Sequence, residues 1–254
     1  MAGFAIAGLA GSLTTAKAAN ILSDNFESYS NGDLISSSTN VPDWDANDAA
    51  GAPTVSNAAD FGASNQFVSF SDTSDTGFSS MVHETAISAG QTVTFSLDFI
   101  ANNNQQINFG FSEGTNPNTA VGSDRVLRAS LTNGSINGEN STNGFGSGFF
   151  NLNTAYELKL VVNDSGTSVN YANRSLVDNS YDVWIRDLTV TGSTYVGTGT
   201  FTSAAQYHSV ARSFNSPTPD YSIDNWSVDE GALVTPIPEP SATLLGALGL
   251  LALL

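Results

Sequence analysis

The sequence predicts an all-β body, a sandwich or a barrel, and two observations carry that expectation. The first is a period of two. In residues 91–100, Val93, Phe95, Leu97 and Phe99 fall on one side, with Thr92, Thr94, Ser96 and Asp98 on the other. Successive side chains of a strand point to opposite faces, so one apolar and one polar face define a half-buried antiparallel strand. The second is punctuation. Between residues 20 and 234, short apolar runs are separated by clusters of Gly, Asn, Ser and Thr. No stretch there sustains the i, i+3, i+4, i+7 pattern of an amphipathic helix.

Taken in order, strands are expected at residues 20–27, 66–71, 78–84 and 91–100. Residues 106–111 repeat the alternation with Ile107, Phe109 and Phe111, and Asn102-Asn103-Asn104 reads as the hairpin loop between the two. Residues 125–131, 156–163, 168–171, 181–191, 206–214 and 221–229 follow; Tyr156, Leu158, Leu160 and Val162 give a further inward face. Asn163-Asp164-Ser165-Gly166 is a turn leading into a partner strand. Residues 133–148 are so rich in Gly and Asn that they read as a long loop. No repeat of fixed period is present, which disfavours a propeller or a β-helix. The closing strand carries a parity fault, because Ile223 is odd while Trp226 and Val228 are even. If all three face the core, a bulge at Asp224-Asn225 absorbs the extra residue.

Composition narrows the function. The 254 residues include 24 acidic and 7 basic side chains, a formal charge of -17, and no Cys. So few cations exclude phosphate neutralisation on a nucleic acid and electrostatic docking on anionic lipid. The absence of Cys excludes disulfides, thiolate metal sites and a Cys nucleophile. His83 and His208 are too few for a His-rich metal centre.

Both ends read as targeting segments. Residues 2–13 are apolar, and Ala16-Lys17-Ala18 gives the small-x-small pattern of a signal-peptidase site, so residues 1–19 are assigned to a signal peptide cleaved near Ala18 or Ala19. At the other end, Pro238-Glu239-Pro240-Ser241-Ala242-Thr243 precedes residues 244–254, which contain only Leu, Ala and Gly. This tail resembles the PEP-CTERM sorting signal of Gram-negative envelope and exopolysaccharide-associated proteins. The resemblance implies recognition by an exosortase-type processing enzyme and transient membrane association through the tail. It also implies a destination outside the cell or on its envelope. A helix of residues 241–254 rises roughly 21 Å, against a hydrocarbon core of about 30 Å. Residues 235–254 therefore read as a truncated sorting signal. Short apolar helical segments are expected at both termini.

The body carries a second resemblance. Ser23-Asp24-Asn25-Phe26-Glu27-Ser28-Tyr29-Ser30-Asn31-Gly32-Asp33-Leu34, followed by Trp44, is similar to the opening strand of concanavalin A-like (LamG-like) jelly rolls. Tyr221-Ser222-Ile223-Asp224-Asn225-Trp226-Ser227-Val228 is similar to their closing strand. The resemblance implies that residues 20–234 form a two-sheet antiparallel jelly-roll sandwich with its terminal strands side by side. Glu27 and Asp33 then come near Asp224. Ca²⁺ takes about six to eight oxygen ligands, so one reading places a structural Ca²⁺ between Glu27, Asp33 and Asp224. The other has Asp224 and Asn225 capping the bulge while Glu27 is solvated.

Three functional readings follow. The first is an exported, non-catalytic surface or extracellular-matrix component. The second is a carbohydrate-binding module recognising an extracellular polysaccharide, with Trp44, Trp184 and Tyr207 as aromatic platforms. The third is a glycan-active enzyme. Glycosidases place paired carboxylates about 5–5.5 Å apart for retention; no strand here carries such an alternating pair, so no catalytic residue is assigned.

Overall fold

The computed structural model describes residues 19–35, 43–47, 53–71, 78–116, 124–138, 145–213 and 220–231. The expected terminal helices, the cleavage residues Ala16 and Ala18 and the sorting residues Pro238, Glu239 and Pro240 lie outside the described residues. No helix occurs among the described residues; the elements are seventeen strands. The first eight are β1 (Ala19–Asp24), β2 (Trp44–Asn47), β3 (Thr54–Ser56), β4 (Phe67–Ser71), β5 (Ser80–His83), β6 (Ile87–Ser88), β7 (Thr92–Ala101) and β8 (Ile107–Ser112). Then come β9 (Arg125–Thr132), β10 (Ser135–Gly138), β11 (Ala155–Asn163), β12 (Val169–Tyr171) and β13 (Arg174–Leu176). The last four are β14 (Ser180–Asp187), β15 (Thr194–Thr200), β16 (Gln206–Ser213) and β17 (Asp220–Glu230).

Fifteen of the strands make two antiparallel sheets with a core between them, and β12 and β13 pair as a separate two-stranded sheet. One has eight strands in the order β15-β14-β11-β7-β17-β4-β3, with β1 also on β17. The other has seven in the order β10-β9-β8-β16-β5-β2, with β6 on β16. Alternation explains the core. Val93, Phe95, Leu97 and Phe99 of β7 face Phe109 and Phe111 of β8 and Leu127, Ala129 and Leu131 of β9 within one apolar cluster. Sheets packed in this way share a layer about 10 Å thick.

The first and last strands meet as expected. Strand β17 pairs β4 along Asp220 to Ile223 and β1 along Trp226 to Glu230. Between these two pairings the register with β7 slips at Asp224/Ser227, and Asn225 takes a left-handed φ of 48°. This is the bulge that the parity fault demanded, and it puts Ile223, Trp226 and Val228 in the core together. Asn is among the few residues that adopt that backbone readily.

Three expectations change. Residues 102–106 are not a hairpin loop: β7 belongs to the eight-stranded sheet and β8 to the seven-stranded one, so the segment arches between layers. The turn after Asn163 leads to β12, which pairs β13, while β11 pairs β7 and β14. Residues 133–148 are not a plain loop, because Asn133 (φ 48°) and Gly134 (φ 72°) form a two-residue turn from β9 into β10. Asn-Gly is a strong signal for a type I′ hairpin, the turn whose twist matches the flanking strands.

Close approach of β8 to β9 requires Gly at position 110. A Cβ there would lie 2.1 Å from the Leu127 carbonyl oxygen and 2.8 Å from the Arg128 Cα. Backbone cannot move aside as a flexible side chain does, so Gly110→Ala should cost about 1–3 kcal/mol. Urea denaturation checks this; a midpoint equal to the parent's would show that the strands are not so close.

Candidate functional site

The carboxylates expected to hold Ca²⁺ are used locally. Asp224 is buried, accepting hydrogen bonds from the Asn65 amide at 2.7 Å and the Asn225 backbone N–H at 2.7 Å. Glu27 Oε1 accepts from the Gln66 N–H at 2.9 Å, and Asp33 Oδ2 accepts from the Ser30 N–H at 2.8 Å within its own turn. No group of three His, Asp or Glu side chains with metal-binding spacing exists among the described residues. Glu27 and Asp224 dock the segment before β4, and Asp33 closes a turn, so the three do not converge.

The aromatic platforms are likewise packed. Trp44 is 1 % exposed, meets Trp226 edge-on at 5.1 Å, and donates its indole N–H to Asp24 at 2.8 Å. The same carboxylate accepts from the Tyr29 hydroxyl at 2.8 Å and the Phe26 N–H at 2.8 Å. The D-x-F-E-x-Y segment and its following Trp are thus a structural clamp around Asp24. Tyr207 is buried and donates to Asp164 at 2.5 Å; burial and that carboxylate push its hydroxyl up to about 12. Trp184 does face outward from the eight-stranded sheet, but β12 and β13 lie over it. It is 5 % exposed, packed with Val161, Tyr171 and Leu176, and donates to the Tyr171 hydroxyl at 3.0 Å. Large aromatics in a sandwich bury far more readily than they stand exposed, because of the area they remove from water.

The outer face of the eight-stranded sheet is polar and internally paired. Lys159 and Arg186 both reach Glu157, at 3.3 and 3.1 Å, and Arg174 reaches Asp182 at 2.8 Å. Asp98 sits across from both Glu157 and Asp224 in the ladder and accepts from Asn225 Nδ2 at 2.8 Å. Burial, followed by the two neighbouring carboxylates, raises its pKa to about 6 against the hydrogen bond from Asn225. A carboxyl whose folded pKa is raised favours the native state most below its unfolded pKa, about 3.9. That contribution is lost as pH rises through about 6. Asp98→Asn should therefore flatten the fall in melting temperature between about pH 4 and 6 and stabilise the protein at pH 7. Thermal scans across that range check it, and an unchanged slope would count against a raised Asp98.

The outer face of the seven-stranded sheet differs. Alternation sends Asn108 of β8, Arg128 and Ser130 of β9, and Gln206, His208 and Arg212 of β16 away from the core, and the register sets Asn108 beside both Ser130 and Arg212. Asn108 is fully buried, and its Oδ1 accepts from Ser130 Oγ at 2.5 Å and Gln106 Nε2 at 2.9 Å. Its Nδ2 has no partner. The Arg212 guanidinium lies 3.5 Å from the centre of the Phe78 ring, its Nε is also unpartnered, and its pKa is lowered by burial and by Arg125 and Arg128. His208 Nδ1 meets the His83 carbonyl at 3.2 Å, and its Nε2 meets Gln206 at 3.2 Å. Unspent donors on a buried polar surface are unusual, since each costs about 1–3 kcal/mol. Sequence reading passed over this face. Its signal was the polar alternate positions Gln106, Asn108 and Ser112, with Gln206, His208 and Arg212.

No protein-family model matches the chain, and no curated protein matches it. Solved structures do. The chain is similar to the basic winged bean lectin crystallised with Tn-antigen, at 6% identity and a TM-score of 0.51, over 86% of this chain and 100% of that one. It is similar to a Bauhinia forficata lectin in complex with GalNAc, at 9% identity and a TM-score of 0.51, over 85% of this chain and 99% of that one. It also matches a sialidase at 13% identity and a TM-score of 0.46, over 80% of this chain, and spans 18% of that protein's length. The likeness shows the class of fold: an antiparallel two-sheet sandwich of the lectin, or jelly-roll, kind.

Proposed function

We propose that the chain is an exported, non-catalytic β-sandwich that binds carbohydrate at the cell envelope or in the extracellular matrix. The observation that carries the binding reading is the outer face of the seven-stranded sheet, where the half-buried Arg212 guanidinium lies over the Phe78 ring. Sugars present hydroxyl and ring oxygens in a plane, and a sheet face presents fixed donors in a plane. The two lectins of similar fold are crystallised with Tn-antigen and with GalNAc, which supports the same reading. A glycan array probed with the full chain tests it: binding to a restricted set of glycans is expected, and no binding to any would overturn it.

Delivery is proposed to use residues 1–19 as an export signal and Pro238-Glu239-Pro240 with the apolar tail as a PEP-CTERM sorting signal read by an exosortase-type enzyme. Mass spectrometry of the exported protein tests this: a mature N-terminus near Ala19 and loss of the tail are expected, and retention of both ends would overturn it.

A glycan-active enzyme is the second reading, favoured by Asp98 at about 6 beside Glu157 and Asp224. Turnover of β-glucans or alginate that disappears in Asp98→Asn would establish it over the first.

A further inference from the structure

We infer that the chain holds a further sugar site at one end of the sandwich, and that this site takes a single neutral sugar ring. The inference rests on the carbohydrate reading above and adds a second place on the molecule and the charge class of its ligand. A cavity of about 330 Å³ opens there, lined by Phe149, Asn151, Tyr156, Asp187, Val190 and Thr194. Small-molecule sites start at about 300 Å³, so the room suits one ring and not a chain of them.

Register places these side chains at the mouth between the two sheets. Strand β14 sends Val183 and Ile185 into the core, so by alternation Asp187 also points inward. Its partner across the ladder is Tyr156 of β11, itself a core residue, and Thr194 of β15 pairs Ile185. Directly paired residues share a face of the sheet. The apolar floor therefore ends in a carboxylate, a phenol hydroxyl and a threonine hydroxyl. A carboxylate at 187 breaks the pattern that Val183 and Ile185 set, and such breaks concentrate at functional sites. The segment after β10 forms the facing wall. There the Phe149 N–H donates to the Gly134 carbonyl at 2.9 Å, and the Asn151 N–H donates to the Tyr156 hydroxyl at 3.1 Å. Phe149 is half-buried against the core, while Val190 is 49% exposed.

The unspent polar atoms are of both kinds. Asp187 Oδ1 accepts from the Thr189 N–H at 2.8 Å and from its hydroxyl at 2.7 Å, while Oδ2 has no partner among the described residues. Those two bonds, the hydroxyl first, hold its pKa below the ordinary range, so it stays a carboxylate and only accepts. The Tyr156 hydroxyl accepts from Asn151, and its own proton finds no acceptor among the described residues. A ligand that satisfies both must donate to Asp187 and accept from Tyr156. Sugar hydroxyls do both. An ammonium group cannot accept, and a uronate carboxylate cannot donate and is repelled by Asp187 in a chain of formal charge -17. Phe149 and Val190 supply the apolar flank that the C–H face of a sugar ring covers.

Calorimetric titration of the full chain tests this. Glucose, galactose, mannose and N-acetylglucosamine are the neutral probes, glucuronate the acidic one and putrescine the cationic one. Saturable binding of at least one neutral sugar is expected, with glucuronate and putrescine weaker. Asp187→Asn keeps the turn, because the amide oxygen still accepts from Thr189, and removes the charge. It should weaken the neutral sugar at least about tenfold, as for loss of a hydrogen bond to a charged group, at unchanged melting temperature. If Asp187→Asn does not fold, Val190→Arg replaces it: Val190 is exposed, and a long side chain there blocks the mouth, so binding should fall to a similar degree. Neutral-sugar binding indifferent to these changes would overturn the site and leave carbohydrate binding standing. So would a positive glycan array with no binding of any single ring. A preference for glucuronate or putrescine would overturn the neutral assignment. No binding of single rings together with a blank array would overturn both readings.

Discussion

Trp226→Ala should lower the melting temperature more than any other single truncation in the core, by about 6–20 °C. The range follows from about 3–5 kcal/mol for a buried Trp truncated to Ala and about 2–4 °C per kcal/mol in a domain of 150–250 residues. Trp226 is fully buried at the centre of an aromatic cluster, 5.0 Å from Phe95, 5.1 Å from Trp44 and 6.4 Å from Phe109 between ring centres. It joins both sheets, because β17 lies in one and its indole N–H donates at 3.0 Å to Ser209 Oγ of β16 in the other. The substitution therefore opens a cavity and strands a buried hydroxyl at once. Trp226→Phe separates the two effects: it keeps most of the ring contact and loses the hydrogen bond, so it should fall between parent and Ala. A Trp226→Ala protein melting within about 2 °C of the parent would remove this residue from the core.

The inward half of the molecule was legible in the sequence because burial imposes a period. Val93 to Phe99 and Tyr156 to Val162 announce their faces by alternation, and the fault between Ile223 and Trp226 announced the bulge by breaking it. Which strands pair is a different matter. Alternation is the same whether a strand's neighbour comes next in the chain or lies across the sandwich. The turn from β7 to β8 therefore reads like a hairpin although it crosses layers. Strands β2, β3, β6, β10, β13 and β15 escaped notice for local reasons. They are two to seven residues long, and β15 carries Gly197 and Gly199 where Phe145 and Tyr181 pack against the backbone.

The site was less legible because aromatic residues do not declare their side. Trp44, Trp184 and Tyr207 have the chemistry of sugar platforms, yet each has its polar atom tied to a partner, half-buried Asp24, buried Tyr171 or buried Asp164. Two unspent donors among the described residues belong to Asn108 and Arg212, residues whose types are commonplace on any outer strand. Only the register, which sets them side by side without a counter-charge, distinguishes them.

Asp182→Ala should release the β12–β13 hairpin and lower stability by about 3 kcal/mol, the lower end of the effect of breaking a buried ion pair. Asp182 is completely buried in β14 and accepts from the Tyr171 hydroxyl at 2.6 Å, from Arg174 Nε at 2.8 Å and from Thr198 Oγ1. Two of these donors belong to the hairpin and the third to β15, so one carboxylate ties the flap to the sheet. The Arg174 side chain is 30% exposed, and solvent recovers part of its charge; that is why the lower end applies. Arg174 also stacks on Tyr195 at 3.5 Å. With the flap loose, Trp184 loses its cover. Trp44 and Trp226 stay in the main core, so a red shift in emission and new quenching by iodide report on Trp184 alone among the three indoles. Limited proteolysis should cut within residues 166–178 in the variant and spare the parent. Adding Arg174→Ala to Asp182→Ala should cost less than the sum of the two single changes, since both remove one pair. Protection of the hairpin and unshifted emission in Asp182→Ala would mean that Val161, Trp184, Tyr171 and Leu176 hold the flap by apolar contact alone.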